Sequence, residues 1–105
     1  MEEHAAEMVI DKRADASGAP IVAVSGELDI SNAATLEATV AALAAERPPR
    51  LSFDLSGLSY MDSAGVAVLL GAVSKFKEVR LRDPSPAVRR IVEITGLTDV
   101  LSVEP

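Results

Sequence analysis

Ser63 is the residue whose type and position in this sequence best suit chemistry. It follows Asp62 and precedes Ala64, Gly65 and an apolar run that begins at Val66. A serine before an apolar helical segment is typical of a helix N-cap, worth about 1 kcal/mol. A phosphate also suits this position, because the N–H groups and dipole of a helix N-terminus favour negative charge. The segment therefore predicts that Ser63 is a structural cap, a phosphorylation site, or both, with Gly65 allowing a partner or phosphate to approach closely.

Enzymatic activity of this chain is not expected. The only histidine is His4, in a polar N-terminal segment, which excludes the usual Ser-His-Asp arrangement. The sequence "DSAG" differs from the G-x-S-x-G elbow of hydrolases, and neither G-x-x-x-x-G-K-[ST] nor G-x-G-x-x-G after a strand is present. We therefore predict no catalytic residue and no cofactor.

Four carboxylates could take part in a site, namely Glu27, Asp29, Asp54 and Asp62. Two neighbouring acids could hold a divalent cation through oxygen ligands. The alternative, which we favour, is that they form a solvated rim or cap helices. The sequence contains no cysteine, so thiolate metal sites and disulfides are excluded. We predict no metal site.

Length and composition narrow the class of protein. With 105 residues the chain is expected to form a single domain over residues 1–105, with residues 1–6 flexible. Only 3% of the residues are aromatic and the formal net charge is −6, which disfavours stacking on bases and contact with phosphate backbones. No apolar run approaches the roughly twenty residues of a membrane span, and the acidic N-terminus lacks a signal pattern. We expect a cytoplasmic protein without direct nucleic acid or membrane contact.

Apolar periodicity predicts the element order β-β-α-β-α-β-α-β. Two helices have clear boundary residues: Ser31 or Asn32 caps the first, and Ser85 caps the last, which ends at Gly96. The segment 56–61, "SGLSYM", is predicted to be a loop. In the helix after it, large apolar residues at helical spacing predict a core-facing stripe of Val66, Leu69, Leu70, Val73 and Phe76.

Alternating strands and helices predict a largely parallel sheet, with the first strand antiparallel through a hairpin over residues 16–20. In such sheets, ligands and partners meet the loops at the carboxyl ends of the strands. Two such loops carry the candidate residues: "GELDISN" contains Glu27 and Asp29, and "SGLSYMDSAG" contains Asp62 and Ser63. If the loops converge, Asp29 lies near Ser63.

Three segments together resemble a known family. They are "VSGELDISNAATLEA", "LSFDLSGLSYMDSAGVAVLLG" and "DPSPAVRRIVEITGLTDVL", and they resemble the STAS domain of bacterial anti-sigma factor antagonists. The resemblance extends from about Val9 to Val103. It implies an α/β single-domain fold, with a mixed, mostly parallel sheet and helices packed on it.

The resemblance also implies a partner switch. In the family, the first serine after the motif aspartate, here Ser63, is phosphorylated by a serine kinase that is also the anti-sigma factor. The unphosphorylated antagonist binds that kinase and releases the sigma factor, and a serine phosphatase restores it. The implied partner-binding residues comprise the acids of the first loop and the four residues beginning the helix, namely Glu27, Asp29, Asp62, Ser63, Ala64 and Gly65.

The sequence departs from the family at two places. The motif's second serine is replaced by Ala64, which leaves one obvious acceptor. The family usually adds a C-terminal helix, which has no counterpart before Pro105, so either the fold is shorter here or the sequence is a trimmed piece. Two other functions stay open: a STAS scaffold of a membrane transport system, and a small α/β enzyme or nucleotide-binding module. The oligomeric state is not determined by the sequence.

Overall fold

The computed structural model describes residues 7–104, so the predictions for residues 1–6 and for His4 lie outside the described part. The described residues form strands, three α-helices and one short 3-10 turn at Leu97–Asp99. In chain order the elements are β1 (Met8–Ala14), β2 (Pro20–Leu28), α1 (Ala33–Ala44), β3 (Arg50–Asp54), β4 (Leu58–Met61), α2 (Ser63–Lys75), β5 (Glu78–Arg82), α3 (Pro86–Ile94) and β6 (Ser102–Glu104). None of the helices in this part of the chain is both long and apolar enough to cross a membrane.

The strands form one mixed sheet in the order β1-β2-β3-β5-β6, with β4 beside β2. Strand β1 is antiparallel to β2, and the other pairs are parallel, which confirms the predicted fold class. The prediction of a loop over residues 56–61 is wrong for its last four residues, because Leu58–Met61 form β4. Strand β2 pairs with β3 through Ile21–Ala23 and with β4 through Gly26–Leu28, so two short strands share one long neighbour.

A bulge at Gly26 joins these two halves of β2. The register shifts between Gly26 and Glu27, and the Gly26 backbone has φ of 92°. The Gly26 N–H donates to the carbonyl oxygen of Gly57 at 3.0 Å, just before β4 begins. A Cβ at Gly26 would collide with the backbone carbonyl of Glu7. Positive φ and this close approach both require glycine.

The core is mainly aliphatic, with Phe53 and Phe76 as its aromatic members, and lies between the sheet and the helices. The face of helix α2 that packs against the core includes small residues: Gly65 and Ala72 are buried there along with Val68 and Leu69. The predicted stripe of large residues is therefore only partly correct. Its members Leu69 and Phe76 are buried, Val66 and Val73 are half-buried, and Leu70 is 50% exposed.

Helix α3 follows its predicted boundaries and is tied to β4. The Ser85 Oγ accepts a weak hydrogen bond from the Val88 N–H at 3.4 Å, and Pro86 occupies the first turn, as predicted. The same hydroxyl donates to the carbonyl oxygen of Leu58 at 2.6 Å. Gly96 ends the helical segment with φ of 76°. One serine thus caps α3 and anchors it to the strand that leads into α2.

Two glycines of similar conformation allow the bulge to be tested. Gly18→Ala should lower the free energy of unfolding by only about 1 kcal/mol, because Gly18 has φ of 89° but no atom within 4 Å of an added Cβ. Gly26→Ala adds a backbone collision to the same strain and should cost about 3 kcal/mol or more. Urea unfolding of both variants measures the difference. Equal losses would show that the contact at Gly26 relaxes freely.

Candidate functional site

Ser63 is the first residue of α2, and its side chain is exposed. The N-cap is Asp62, whose carboxylate oxygen Oδ1 accepts a hydrogen bond from the Ala64 N–H at 2.9 Å. The prediction that Ser63 caps the helix is therefore wrong. The backbone of Asp62 is extended (φ −112°, ψ −166°), and this conformation lets its side chain reach the N–H two residues ahead. The Ser63 hydroxyl is consequently not needed to close the helix.

The two predicted loops converge, as expected. Glu27 pairs with Tyr60 and Leu28 pairs with Met61 across the β2–β4 ladder. Beyond the ladder, the Asp62 N–H donates to the Leu28 carbonyl oxygen at 3.3 Å. The residues that follow β2 and β4 therefore leave the sheet side by side, which places Asp29 close to Asp62. Glu27 is exposed on the sheet face opposite the buried Leu28.

Asp29 is held by its own loop. Its Oδ1 atom accepts hydrogen bonds from the Ser31 hydroxyl at 2.6 Å and the Ser31 N–H at 2.8 Å. These two bonds hold the pKa of the Asp29 carboxyl below its usual range, the hydroxyl contributing most. The Asp29 carbonyl oxygen accepts from the N–H groups of Asn32 and Ala33 at 3.2 and 2.9 Å. Asp29 is therefore a charged, oriented carboxylate at neutral pH.

Asn32 stands at the N-cap position of α1, but its side chain makes no capping bond to that helix. Its Oδ1 instead accepts from the Asp29 N–H at 3.0 Å, and its Nδ2 donates to the Glu27 carbonyl oxygen at 2.9 Å. Ser31 donates to Asp29 and is not the cap either. Sequence reasoning treated Asn32 only as a cap candidate and missed that it fixes the loop carrying both acids.

Gly65 is buried rather than open to the surface. A Cβ at this position would collide with Cγ of Met61 and lie 2.9 Å from Cδ2 of Leu28. Glycine is thus required here for close packing of α2 on β2 and β4, whereas the sequence suggested the approach of a partner. Its neighbour Ala64 is half-buried beside the exposed Ser63.

Asp54 serves a different turn from the acids around Ser63. Its Oδ1 accepts from the Ser56 N–H and hydroxyl at 3.1 and 2.8 Å, which closes the turn between β3 and β4. Within residues 7–104, no group of three or more His, Cys, Asp or Glu side chains is arranged to hold a metal ion. The site is therefore a surface that carries the exposed Ser63 and the oriented carboxylates of Asp29 and Asp62.

Comparison with known proteins identifies this architecture. The STAS domain family model matches residues 8–105. The anti-sigma-B factor antagonist of Bacillus subtilis (strain 168) is 33% identical over 86 residues, which cover 78% of this chain and 78% of that protein.

Two solved structures have the same fold. The crystal structure of an anti-sigma factor antagonist from Mycobacterium paratuberculosis has a TM-score of 0.87 and 30% identity, covering 94% of this chain and 86% of that one. The Bacillus cell fate determinant SpoIIAA in its phosphorylated form has a TM-score of 0.71 and 21% identity, covering 90% of each chain. The last likeness concerns the fold alone. On the family match and these relatives, the chain belongs to the STAS domain family.

Proposed function

We propose that this chain is an anti-sigma factor antagonist whose binding is switched at Ser63. Its unphosphorylated form binds an anti-sigma factor that is also a serine kinase, and the sigma factor is released. Phosphorylation of Ser63 ends that binding, and a serine phosphatase restores it. The observation that carries the proposal is the exposed Ser63 hydroxyl at the start of α2, with capping left to Asp62. The relatives named anti-sigma factor antagonists support it and do not favour a transport scaffold.

The chain acts in this proposal as a substrate, and the kinase supplies the catalysis. The Ser63 Oγ attacks the terminal phosphorus of ATP and loses its proton, a new O–P bond forms, and ADP leaves. An exposed hydroxyl can enter the partner's active site without a change in the fold. We place the switch in the cytoplasm, with neither nucleic acid nor membrane in direct contact with this chain.

The added charge explains how binding is lost. A serine phosphate carries about −1.5 to −2 charges at neutral pH. It would stand next to Asp62, whose N–H donates to the carbonyl oxygen of Leu28, the residue directly before Asp29. A partner surface matched to a neutral hydroxyl then meets like-charge repulsion and a desolvation cost. About 2 to 3 kcal/mol of such a penalty lowers affinity roughly 30- to 150-fold.

Two substitutions at the start of α2 separate the acceptor from the cap. Ser63→Ala should abolish phosphate incorporation by the kinase and change the free energy of unfolding by less than about 0.5 kcal/mol. Asp62→Ala should cost about 0.5–2 kcal/mol, because the helix loses its cap. Urea unfolding and mass spectrometry after incubation with kinase, ATP and Mg²⁺ provide both readouts. Phosphate on Ser56, Ser59 or Ser74 of the Ser63→Ala variant would contradict the assignment.

The charge of Asp29 can be tested apart from its hydrogen bonds. Asp29→Asn keeps an oxygen that can accept from Ser31 but removes the charge, whereas Asp29→Ala removes both. If Asp29 contacts the partner, Asp29→Asn should weaken kinase binding about three- to tenfold with little change in melting temperature. Asp11→Asn, on the exposed side of β1, is the matched control. Normal binding by both Asp29 variants, with a lowered melting temperature for Asp29→Ala, would make Asp29 a purely structural residue.

A further inference from the structure

An apolar groove lies directly beside Ser63, between the start of α2 and the second half of α3. Its volume is about 290 Å³, and almost all of its lining atoms are apolar. Met61, which is 2% exposed, forms part of this lining, and the half-buried Ile91 lies across from α2. Ile94, which is 72% exposed, stands at the edge. The lining residues are Met61, Asp62, Ser63, Val66, Ile91, Ile94 and Thr95.

The groove is apolar although polar residues line it, because the side chains of Thr95 and Asp62 form hydrogen bonds within this chain. The Thr95 hydroxyl is turned back into α3, where it donates to the Ile91 carbonyl oxygen at 2.8 Å. One oxygen of the Asp62 carboxylate, Oδ1, accepts a hydrogen bond from the Ala64 N–H. An isoleucine as exposed as Ile94, continuous with an apolar depression, is typical of a protein contact surface.

We propose that this groove receives an apolar side chain of the kinase that phosphorylates Ser63. The inference rests on the proposed function and adds the chemistry of the contact. Because Ser63 itself lines the groove, a kinase whose active site reaches the Ser63 Oγ covers the groove at the same time. The volume of about 290 Å³ suits one large aliphatic or aromatic side chain, since a cavity of about 150 Å³ already holds benzene.

Charged residues lie on two sides of the groove, and they indicate which residues of the kinase would flank its apolar side chain. On the α2 side stands Asp62. On the α3 side, Arg90 is exposed one turn before Ile94. The complementary segment of the kinase therefore presents an uncharged hydrogen-bond donor, and no carboxylate, on the side that faces Asp62, next to its apolar anchor.

A charge introduced at Ile94 tests the groove. Ile94→Lys should weaken binding to the purified kinase about tenfold or more, measured by calorimetry with ADP so that no phosphoryl group is transferred. Ile94→Leu should bind nearly as wild type, because it keeps an aliphatic side chain of equal size. Val9→Lys is the matched control, since Val9 is 64% exposed on β1 and lies outside the groove. Melting curves check that all three variants fold.

The outcomes are distinguishable. Weak binding by Ile94→Lys alone supports the groove. Equal binding by Ile94→Lys and Val9→Lys, with normal phosphorylation of wild-type Ser63, overturns the groove and leaves the proposed function intact. Failure of the wild type to bind or be phosphorylated overturns both. A wild-type dimer that Ile94→Lys converts to a monomer in sedimentation without kinase would assign the groove to a second copy and also overturn the proposal.

Discussion

The pairing of β4 with the far half of β2 is the constraint on which the candidate site depends. The first half of strand β2 pairs with β3, and its second half, from the bulge at Gly26 onward, pairs with β4. Only Asp62 separates the last residue of β4 from the first residue of α2. Ser63 is therefore positioned by the sheet ladder itself. Asp29, the first residue after β2, lies beside the Ser63 loop because β2 is the hydrogen-bonded neighbour of β4.

Asp62 caps helix α2 and leaves the neighbouring Ser63 exposed, an arrangement that suits the proposed switch. An N-cap hydroxyl is engaged with a backbone N–H, so attaching a phosphoryl group to it would disturb the helix terminus. Here Asp62 satisfies the Ala64 N–H, and Ser63 lies one residue inside the helix with its side chain exposed. A charge added at Ser63 changes what the surface can bind while the hydrogen bonds that close α2 stay in place. Under the proposed function, stability and signalling thus depend on two adjacent residues, Asp62 and Ser63.

Much of the fold could be predicted from the sequence, and the errors have physical reasons. The boundaries of α3 were predictable because Ser85, Pro86 and Gly96 each favour one position. Strand β4 was missed because its two middle residues are both exposed, so its four residues show no alternation. The inner face of α2 was misassigned because it uses small residues for close packing.

The site itself was predicted in part. Parallel topology correctly brought the loop of Ser63 beside that of Asp29, and the role of Ser63 as the phosphate acceptor stays a prediction. The choice of cap could not be made from sequence, since Asp and Ser have nearly equal N-cap preference and only the extended backbone of Asp62 decides between them. The two hydrogen bonds of the Asn32 side chain could not be predicted from the sequence either, because they join two backbone groups that only the folded loop brings together.

In the proposed complex, the surface around Ser63 makes two kinds of contact that respond differently to phosphorylation. The carboxylates of Asp29 and Asp62 act through charge, so their effect on a partner changes when phosphate is added. The apolar lining contributed by Met61 and Ile94 does not depend on charge, and its contribution to binding is similar in both states. The apolar part therefore sets how tightly a partner is held, and the charged part sets the ratio of affinities between the two states. A surface divided in this way allows affinity to change through Ile94 without altering the phosphorylation switch at Ser63.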